Sequence, residues 1–441
     1  MRLVRAGWVL PVVAAPIHDG AVGVDAGGRI TAVGPAAQLI DAHPDAPVAD
    51  HGPDSLLLPG LVDAHCRLGW SCLGGVGAPR PFADWLRAFL PLRARMAPDD
   101  HLAAARAGAL RALCAGVTCL ADAGPTGAGL AALSESGQRG IVHLEAFGAP
   151  ADETAARATV AEFAERLAAL AEGEGERVRM GVSPHAPYSA GPLLWRALAE
   201  HPHTAGRAWM THIAESPAEE AALAGEGGAL AELFTGRGFP LGHWPTPDHA
   251  SVVARMGAHG ALRRGLVAAH CVQVRDDDPQ RLRAAGVAMA HCPRSNEYLR
   301  CGRAPLADLR ARGVTVAIGT DSPASGGDFD PRAEARACRT VFGPSAPPAR
   351  DLIEMITVDG ARAIGLADRI GALAVGHEAD LLVLRHPDGG PDDPHERALS
   401  AAARVDTVTV SGRVLVAAGE PQVVDAPRIH AAAGAVAARL R

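Results

Sequence analysis

Short apolar runs alternate with amphipathic segments through the middle of the chain. Between residues 58 and 373 the runs have the length of buried strands, and the segments between them are rich in Ala, Leu, Arg and Glu, as helices are. This alternation predicts a parallel α/β sheet. The predicted strands are 61–67, 116–121, 141–146, 178–183, 208–213, 266–270, 287–291 and 314–320.

Eight strands in this arrangement predict a closed (β/α)8 TIM barrel. In such a barrel the chemistry gathers at the carboxyl ends of the strands. A polar residue stands at or just after each predicted strand end: His65, Asp122, Glu145, His185, His212, His270, His291 and Asp321. We therefore expect these side chains at one mouth of the barrel.

Shorter strands that turn frequently are predicted at both ends of the chain. The segment before residue 58 contains several, and segments 379–384 and 405–416 alternate apolar and polar residues. The sequence therefore predicts a small β-sandwich domain made of residues 1–57 and 374–441. The barrel, residues 58–373, is inserted between its two halves.

Composition favours small-molecule chemistry. The net charge is −7 and the pI is near 6.2, so the charge balance does not indicate binding to nucleic acid or to a membrane surface. No run of about 18 apolar residues predicts a transmembrane helix. The eight cysteines form no CxxC pair and have apolar neighbours, which is typical of reduced thiols in a cytoplasmic protein.

The chain contains no lysine. A phosphate-binding loop of the GxxxxGK type and a Schiff-base mechanism are therefore excluded. A carboxylated lysine that bridges two metal ions is excluded for the same reason. If this protein uses a metal, the sequence favours a site for one ion.

The first predicted barrel strand carries the most informative motif, Pro59-Gly60-Leu-Val-Asp-Ala-His65-Cys-Arg67. The period of two along a strand places His65 and Arg67 on the same side. The motif resembles the Pro-Gly-x-Val-Asp-x-His-x-His pattern of the amidohydrolase superfamily, in which both histidines bind a divalent metal. Arg67 stands where the second histidine is expected, and a guanidinium stays protonated and repels a dication.

Three further motifs extend the resemblance: Thr-His212-Ile-Ala-Glu215, Ala-His270 and Gly-Thr-Asp321-Ser. It implies that His65, His212 and Asp321 hold one divalent metal ion, either zinc or iron. Glu215 is then the proton shuttle, His270 orients the attacking water, and Asp321 acts as both ligand and base. For His270 a buried structural role is the alternative interpretation.

The resemblance also assigns a substrate-binding set. His185 is expected to hydrogen-bond the substrate, and Trp70 lies in a Gly- and Pro-rich loop suited to cover an aromatic heterocycle. Ser295 and Asn296 form a turn that either contacts the substrate or caps the next helix. Arg67 is expected to pair with a carboxylate or with an anionic group of the substrate.

The nearest resemblance is to deaminases of amino-purines and related heterocycles, particularly aminofutalosine deaminases. It implies a metal-dependent hydrolytic deaminase of an amino-substituted N-heterocycle or nucleoside-like compound, an enzyme acting on C–N bonds other than peptide bonds, and it allows a homodimer. Two alternatives stay open because of Arg67. In one, Arg67 fills the metal position, pairs with Asp321 and leaves a metal-free binding protein. In the other, a metal-free enzyme uses Arg67 to hold an anion.

Overall fold

The computed structural model describes residues 1–75, 79–236, 241, 244–246 and 250–440. The chain begins with strands that precede the barrel: β1 (Arg2–Val9), β2 (Ile17–Val24), β3 (Ile30–Pro35), β4 (Val48–Asp50) and β5 (Ser55–Pro59). Helix α1 (Ala36–Ala42) lies between β3 and β4.

An eight-stranded parallel sheet follows, as the sequence predicted. Its strands are β6 (Leu61–Cys66), β7 (Val117–Gly124), β8 (Arg139–Ala146), β9 (Val178–Pro184), β10 (Trp209–Ile213), β11 (Leu266–His270), β12 (Ala288–His291) and β13 (Val316–Ile318). Neighbours in sequence are neighbours in the sheet, and a bridge between Cys66 and Asp321 joins the first strand to the end of the last. The (β/α)8 barrel is therefore confirmed.

Helices connect the barrel strands and continue after the last one. In chain order they are α2 (Phe82–Arg93), α3 (Pro98–Cys114), α4 (Gly129–Ser136), α5 (Glu153–Ala171), α6 (Pro192–Glu200), α7 (Pro217–Ala224), α8 (Ala229–Thr235), α9 (Val252–Ala258), α10 (Asp278–Ala285), α11 (Pro293–Tyr298), α12 (Leu306–Ala311), α13 (Pro331–Phe342), α14 (Ala349–Met355) and α15 (Val358–Ala363). Among the described helices, none is long and apolar enough to cross a bilayer.

The C-terminal segment completes a second sheet. Its elements are β14 (Leu381–Arg385), α16 (Pro394–Leu399), β15 (Arg404–Val410), β16 (Arg413–Ala417), β17 (Glu420–Pro421) and α17 (Ala426–Leu440). The sheet order is β17-β16-β15-β14-β5-β1-β2-β3, with β4 beside β1. Because β14 pairs antiparallel with β5, both chain ends join in one hydrogen-bonded sheet, which confirms a separate sheet built from them.

A buried ionic cluster connects the barrel to this sheet. Arg139, at the start of β8, is 2% exposed and donates from Nε to Asp380 at 3.2 Å. Its Nη2 also pairs with Glu378, which accepts a further hydrogen bond from Ser411 Oγ at 2.7 Å. The carboxylates compensate for the cost of burying the guanidinium charge, so these contacts fix the sheet against the barrel.

Candidate active site

A cavity of about 660 Å³ is lined by residues at the carboxyl ends of the barrel strands. This volume suits a ligand of nucleoside size. Aromatic side chains supply much of its wall: Trp70, Phe82, Trp85, Phe89, Phe147, Tyr188 and Phe234. Its polar lining includes Arg67, Arg93, His101, His185, Ser189, His212, Glu215, His270, Asp321 and Ser322.

Three buried imidazoles form the inner end of the site. His65, His212 and His270 each offer one nitrogen, and these nitrogens all lie within 4.8 Å of one another. Asp321 adds a carboxylate, with Oδ1 3.8 Å from Nε2 of His65. The three residues proposed as metal ligands from the sequence, His65, His212 and Asp321, are thus brought together beside His270.

The hydrogen bonds of His212 define its tautomer. A guanidinium can only donate, so Nε2 of His212 accepts from Nη1 of Arg67 at 2.9 Å. Nδ1 then carries the proton and donates to the backbone carbonyl of His185 at 2.7 Å. Burial, together with the nearby charges of His185 and Arg67, lowers the pKa of His212 well below its ordinary value, which keeps the ring neutral.

Arg67 forms a buried ion pair with Glu145. Nη2 of Arg67 donates to Oε1 of Glu145 at 2.7 Å, and the Glu145 carboxylate is fully buried. The expectation that Arg67 pairs with Asp321 is wrong, because Glu145 at the end of β8 offers its carboxylate directly to the guanidinium. Only the backbone N–H of Arg67 contacts Asp321, donating to its carbonyl oxygen at 2.9 Å.

Two serines hold the Asp321 carboxylate. Oδ2 accepts hydrogen bonds from Ser295 Oγ and from Ser325 Oγ, each at 2.7 Å. Burial alone would raise the pKa of Asp321, but the adjacent imidazole of His65 and the charge of His270 lower it well below the ordinary value. The carboxylate is therefore an anion with its second oxygen, Oδ1, facing His65.

Glu215 and His270 form a second pair. Oε1 of Glu215 lies 3.6 Å from Nε2 of His270, and Nδ1 of His270 lies 2.9 Å from Oδ1 of Asn296. Since the Asn296 oxygen can only accept, Nδ1 of His270 carries the proton and Nε2 presents a lone pair to Glu215. Burial, reinforced by the charge of Asp321, raises the pKa of Glu215 well above its ordinary value, so this carboxyl can carry a proton.

Backbone conformation at the strand ends is strained where these side chains emerge. His270 has φ of 73° and Asp321 has φ of 54°, and Ala214, just before Glu215, has φ of 51°. Left-handed backbone is unfavourable for residues other than glycine and clusters at functional sites. These unfavourable backbone conformations direct the side chains toward the barrel mouth at a cost in folding stability.

Most of the predicted substrate-binding residues line the cavity. His185 does so with Nδ1 2.7 Å from Ser189 Oγ and its ring 4.8 Å from that of Phe147. Trp70 also lines the cavity and packs edge-on against Phe89, with ring centroids 5.3 Å apart. Ser295 and Asn296 are instead buried behind Asp321 and His270, so they position those residues.

Sequence reasoning missed three contributors to the site. Glu145 was noted only as a strand end, although it carries the charge that balances Arg67. Ser325 gave no signal because it reaches Asp321 from four residues along a tight turn. Arg93, the last residue of α2, lines the cavity through the path of the loop after β6, which no residue pattern specifies.

The donor set fits a divalent metal ion. Nε2 of His65 is buried and has no hydrogen-bond partner, which is costly for a polar atom unless a ligand satisfies it. Two or three neutral imidazoles and one carboxylate are the ligands that zinc prefers. The group that opposes binding is Arg67, because its N–H is directed at the lone pair of His212.

Comparison with known proteins places this geometry in context. Residues 56–415 match the model of the amidohydrolase family. A 5-methylthioadenosine/S-adenosylhomocysteine deaminase of Moorella thermoacetica is 31% identical over 458 residues, which cover 97% of this chain and 97% of that protein.

Solved structures resemble the whole chain. An adenosine deaminase from Xanthomonas campestris, with bound zinc, superposes with a TM-score of 0.82 at 26% identity, covering 100% of this chain and 98% of that one. The Helicobacter pylori aminofutalosine deaminase in complex with methylthio-coformycin gives a TM-score of 0.79 at 20% identity, covering 94% of this chain and 100% of that one. The latter likeness shows the fold alone.

Proposed function

Because this chain belongs to the amidohydrolase family, we propose that it is a hydrolytic deaminase of an adenine-like nucleoside compound. The observation that carries the proposal is the convergence of His212, Glu215, His270 and Asp321 on one aromatic cavity, with His65 buried beside them. The relative at 31% identity, named a 5-methylthioadenosine/S-adenosylhomocysteine deaminase, supports the adenine-like class. Aminofutalosine is one candidate within that class.

His65, His212 and Asp321 would hold the metal ion, with His270 next to it. Zinc is favoured because these residues match its ligand preference and because the similar adenosine deaminase from Xanthomonas campestris contains zinc. When bound, such an ion supplies Lewis-acid activation of the water that attacks the substrate. Asp321 is suited to the ligand role because its neighbours keep it ionised.

The proposed reaction needs no oxidant or reductant. Water adds to the carbon that carries the amino group, the C–N bond breaks, and ammonia leaves. Glu215 takes a proton from the water and returns it to the departing nitrogen. Once Glu215 has taken the proton, it faces the acceptor nitrogen of His270, whose orientation Asn296 fixes.

The part of the cavity near His185 is suited to a flat heterocycle. Tyr188, whose ring centroid lies 5.8 Å from that of His185, offers aromatic surface against which a purine can pack. His185, with Nδ1 at hydrogen-bond distance from Ser189, turns its ring between Phe147 and Tyr188 and is placed to hydrogen-bond the ligand.

Ammonia release from adenosine, 5′-methylthioadenosine and 5′-deoxyadenosine tests this proposal. Zinc-supplemented protein is expected to release ammonia from at least one of them. Glu215→Gln and Asp321→Asn are each expected to lower kcat by at least about 100-fold. Glu135→Gln and Asp84→Asn, which change exposed carboxyls paired with surface arginines, are matched controls that should keep full activity. Full activity in both site variants would refute the proposal.

A second candidate is a metal-free binding protein with the same cavity. The observation that favours it is the 2.9 Å contact between Nη1 of Arg67 and Nε2 of His212, since the guanidinium satisfies the lone pair that a metal would use. This candidate predicts that nucleosides bind in the presence of a chelator and that added zinc changes neither binding nor ammonia release. Zinc-dependent ammonia release would exclude it.

A further inference from the structure

Arg93 brings a second guanidinium to the cavity wall. It ends helix α2 and lines the same cavity as Arg67. Its guanidinium carbon lies 5.6 Å from the ring centroid of Trp70 and 5.2 Å from that of Phe147. Two aromatic contacts of this kind hold a guanidinium in a defined place. The N–H groups, which lie in the guanidinium plane, are available to bind another group.

The two arginines differ in their ion-pair partners. Glu145 neutralises Arg67 through the 2.7 Å contact. Across the part of the chain that the structure describes, no carboxylate lies within ion-pair distance of Arg93. Burial lowers the pKa of Arg93 from its ordinary value, Glu145 acts in the opposite direction, and the charge of Arg67 lowers it further. Among the described residues, Arg93 is thus a cation of the cavity wall without a carboxylate in direct contact.

We propose that Arg93 binds an anionic group, a carboxylate or a phosphate, on the part of the nucleoside ligand that extends away from the purine. A guanidinium presents paired donors that match either anion. This inference rests on the proposed function for the nucleoside part of the ligand. It adds the substrate class: an acidic nucleoside derivative, in preference to a neutral one.

Glu145 does not remove the need for a ligand. Oε1 of Glu145 is taken by Arg67, and Oε2 is buried without a hydrogen-bond partner. Asp321, another ionised carboxylate of the cavity, is held by Ser295 and Ser325 at the inner end and makes no ion pair with Arg93. An anion at Arg93 would therefore balance the outer half of the cavity without disturbing the pair beneath it.

Deaminated nucleosides give a test that does not depend on catalysis. Inosine, inosine-5′-carboxylic acid and inosine 5′-monophosphate cannot be deaminated again, so their binding to the unmodified protein can be measured by calorimetry. At least one acidic probe is expected to bind at least about tenfold more tightly than inosine. The stronger of the two acids identifies carboxylate or phosphate as the preferred group.

Variants of helix α2 separate the anion site from general electrostatics. Arg93→Gln should reduce the preference for the acidic probe to about twofold or less and leave the affinity for inosine unchanged. Arg93→Lys should retain part of the preference, because lysine keeps the positive charge but lacks the paired N–H donors of a guanidinium. Arg87→Gln is the matched control, since Arg87 lies on the same helix, is exposed and pairs with Asp84.

The outcomes distinguish this inference from the proposed function. Equal binding of inosine and both acids, an absence of binding by either acid, or an equal loss for all probes in Arg93→Gln would overturn the anion site. An acid preference that depends on Arg93, without ammonia release from any adenine nucleoside, would support the anion site and refute the deaminase.

Discussion

Nη1 of Arg67 lies 2.9 Å from Nε2 of His212, at the imidazole nitrogen that faces the candidate metal site. The other end of the same guanidinium holds Glu145 at 2.7 Å. Because Nη1 and Nη2 belong to one rigid planar group, release of His212 requires the guanidinium to pivot about its contact with Glu145. A bound dication and Arg67 nevertheless repel each other, so Arg67 should weaken the metal site without abolishing it.

Replacement of Arg67 should strengthen metal binding. Arg67→His removes a positive charge and adds an imidazole, and we expect zinc affinity to rise at least about tenfold in competition with a chromophoric chelator. Arg67→Met removes the charge without adding a ligand, so it should show a smaller gain. Arg87→His, on the surface, controls for the effect of an extra histidine. Unchanged affinity in Arg67→His would mean that the guanidinium does not oppose the metal.

The sequence was sufficient to predict the fold and to select many of the residues that lie in the candidate site. The eight predicted barrel strands, the second sheet and the family resemblance are confirmed, as is a hydrolase that acts on C–N bonds other than peptide bonds. Strand ends are predictable because the period of two and the parallel topology jointly place residues such as His212 and Asp321 at one mouth.

Contacts made by loops and by long side chains were not predictable in the same way. The choice of Glu145 over Asp321 as the partner of Arg67 depends on side-chain reach across two strands, which strand periodicity does not encode. The position of Arg93 depends on the course of the chain between β6 and α3. Ser325 reaches Asp321 because a turn folds back, and no sequence motif predicts this contact.

Asn296 should be important for turnover although it does not line the cavity. Its Oδ1 fixes the tautomer of His270, so Asn296→Ala should lower kcat about 10- to 100-fold with little change in KM. Asn296→Asp keeps an oxygen acceptor and should retain more activity than the alanine variant. Equal losses in both variants, or a loss confined to KM, would argue against this positioning role.

Gly319 allows the barrel to close beside His65. A Cβ at this position would lie 2.7 Å from the carbonyl oxygen of His65 and 2.9 Å from its backbone nitrogen, closer than real Cβ atoms approach. Gly319→Ala should therefore destabilise the protein by about 1–3 kcal/mol and displace His65. Chemical denaturation measures the first effect, and zinc affinity measures the second. Gly124→Ala, where a Cβ meets nothing within 4 Å, is the matched control.

The ionic cluster between the barrel and the second sheet should make stability depend on pH. Burial would raise the pKa of Glu378, but Ser411, Arg139 and Arg369 lower it from 4.5 to about 2. A depressed pKa stabilises the fold above the unfolded value of 4.5, and this contribution is lost as the pH falls toward 2.

Glu378→Gln provides the corresponding experiment. At pH 7 the free energy of unfolding of the variant should be about 2–3 kcal/mol lower than that of the wild type. The difference between the two proteins should shrink steadily as the pH falls below 4.5. Glu135→Gln, at an exposed ion pair, should differ little from the wild type at any pH. A constant difference for Glu378→Gln across this range would contradict the assigned role.

The proposed deaminase depends on a metal site that forms in spite of Arg67, so the metal content of the wild-type protein tests it most directly. Protein purified without chelators and analysed by mass spectrometry for metals should contain about one zinc or iron ion per chain, as should Arg67→His. Metal in Arg67→His but none in the wild type, even after incubation with zinc, would contradict the account and favour the metal-free binding protein.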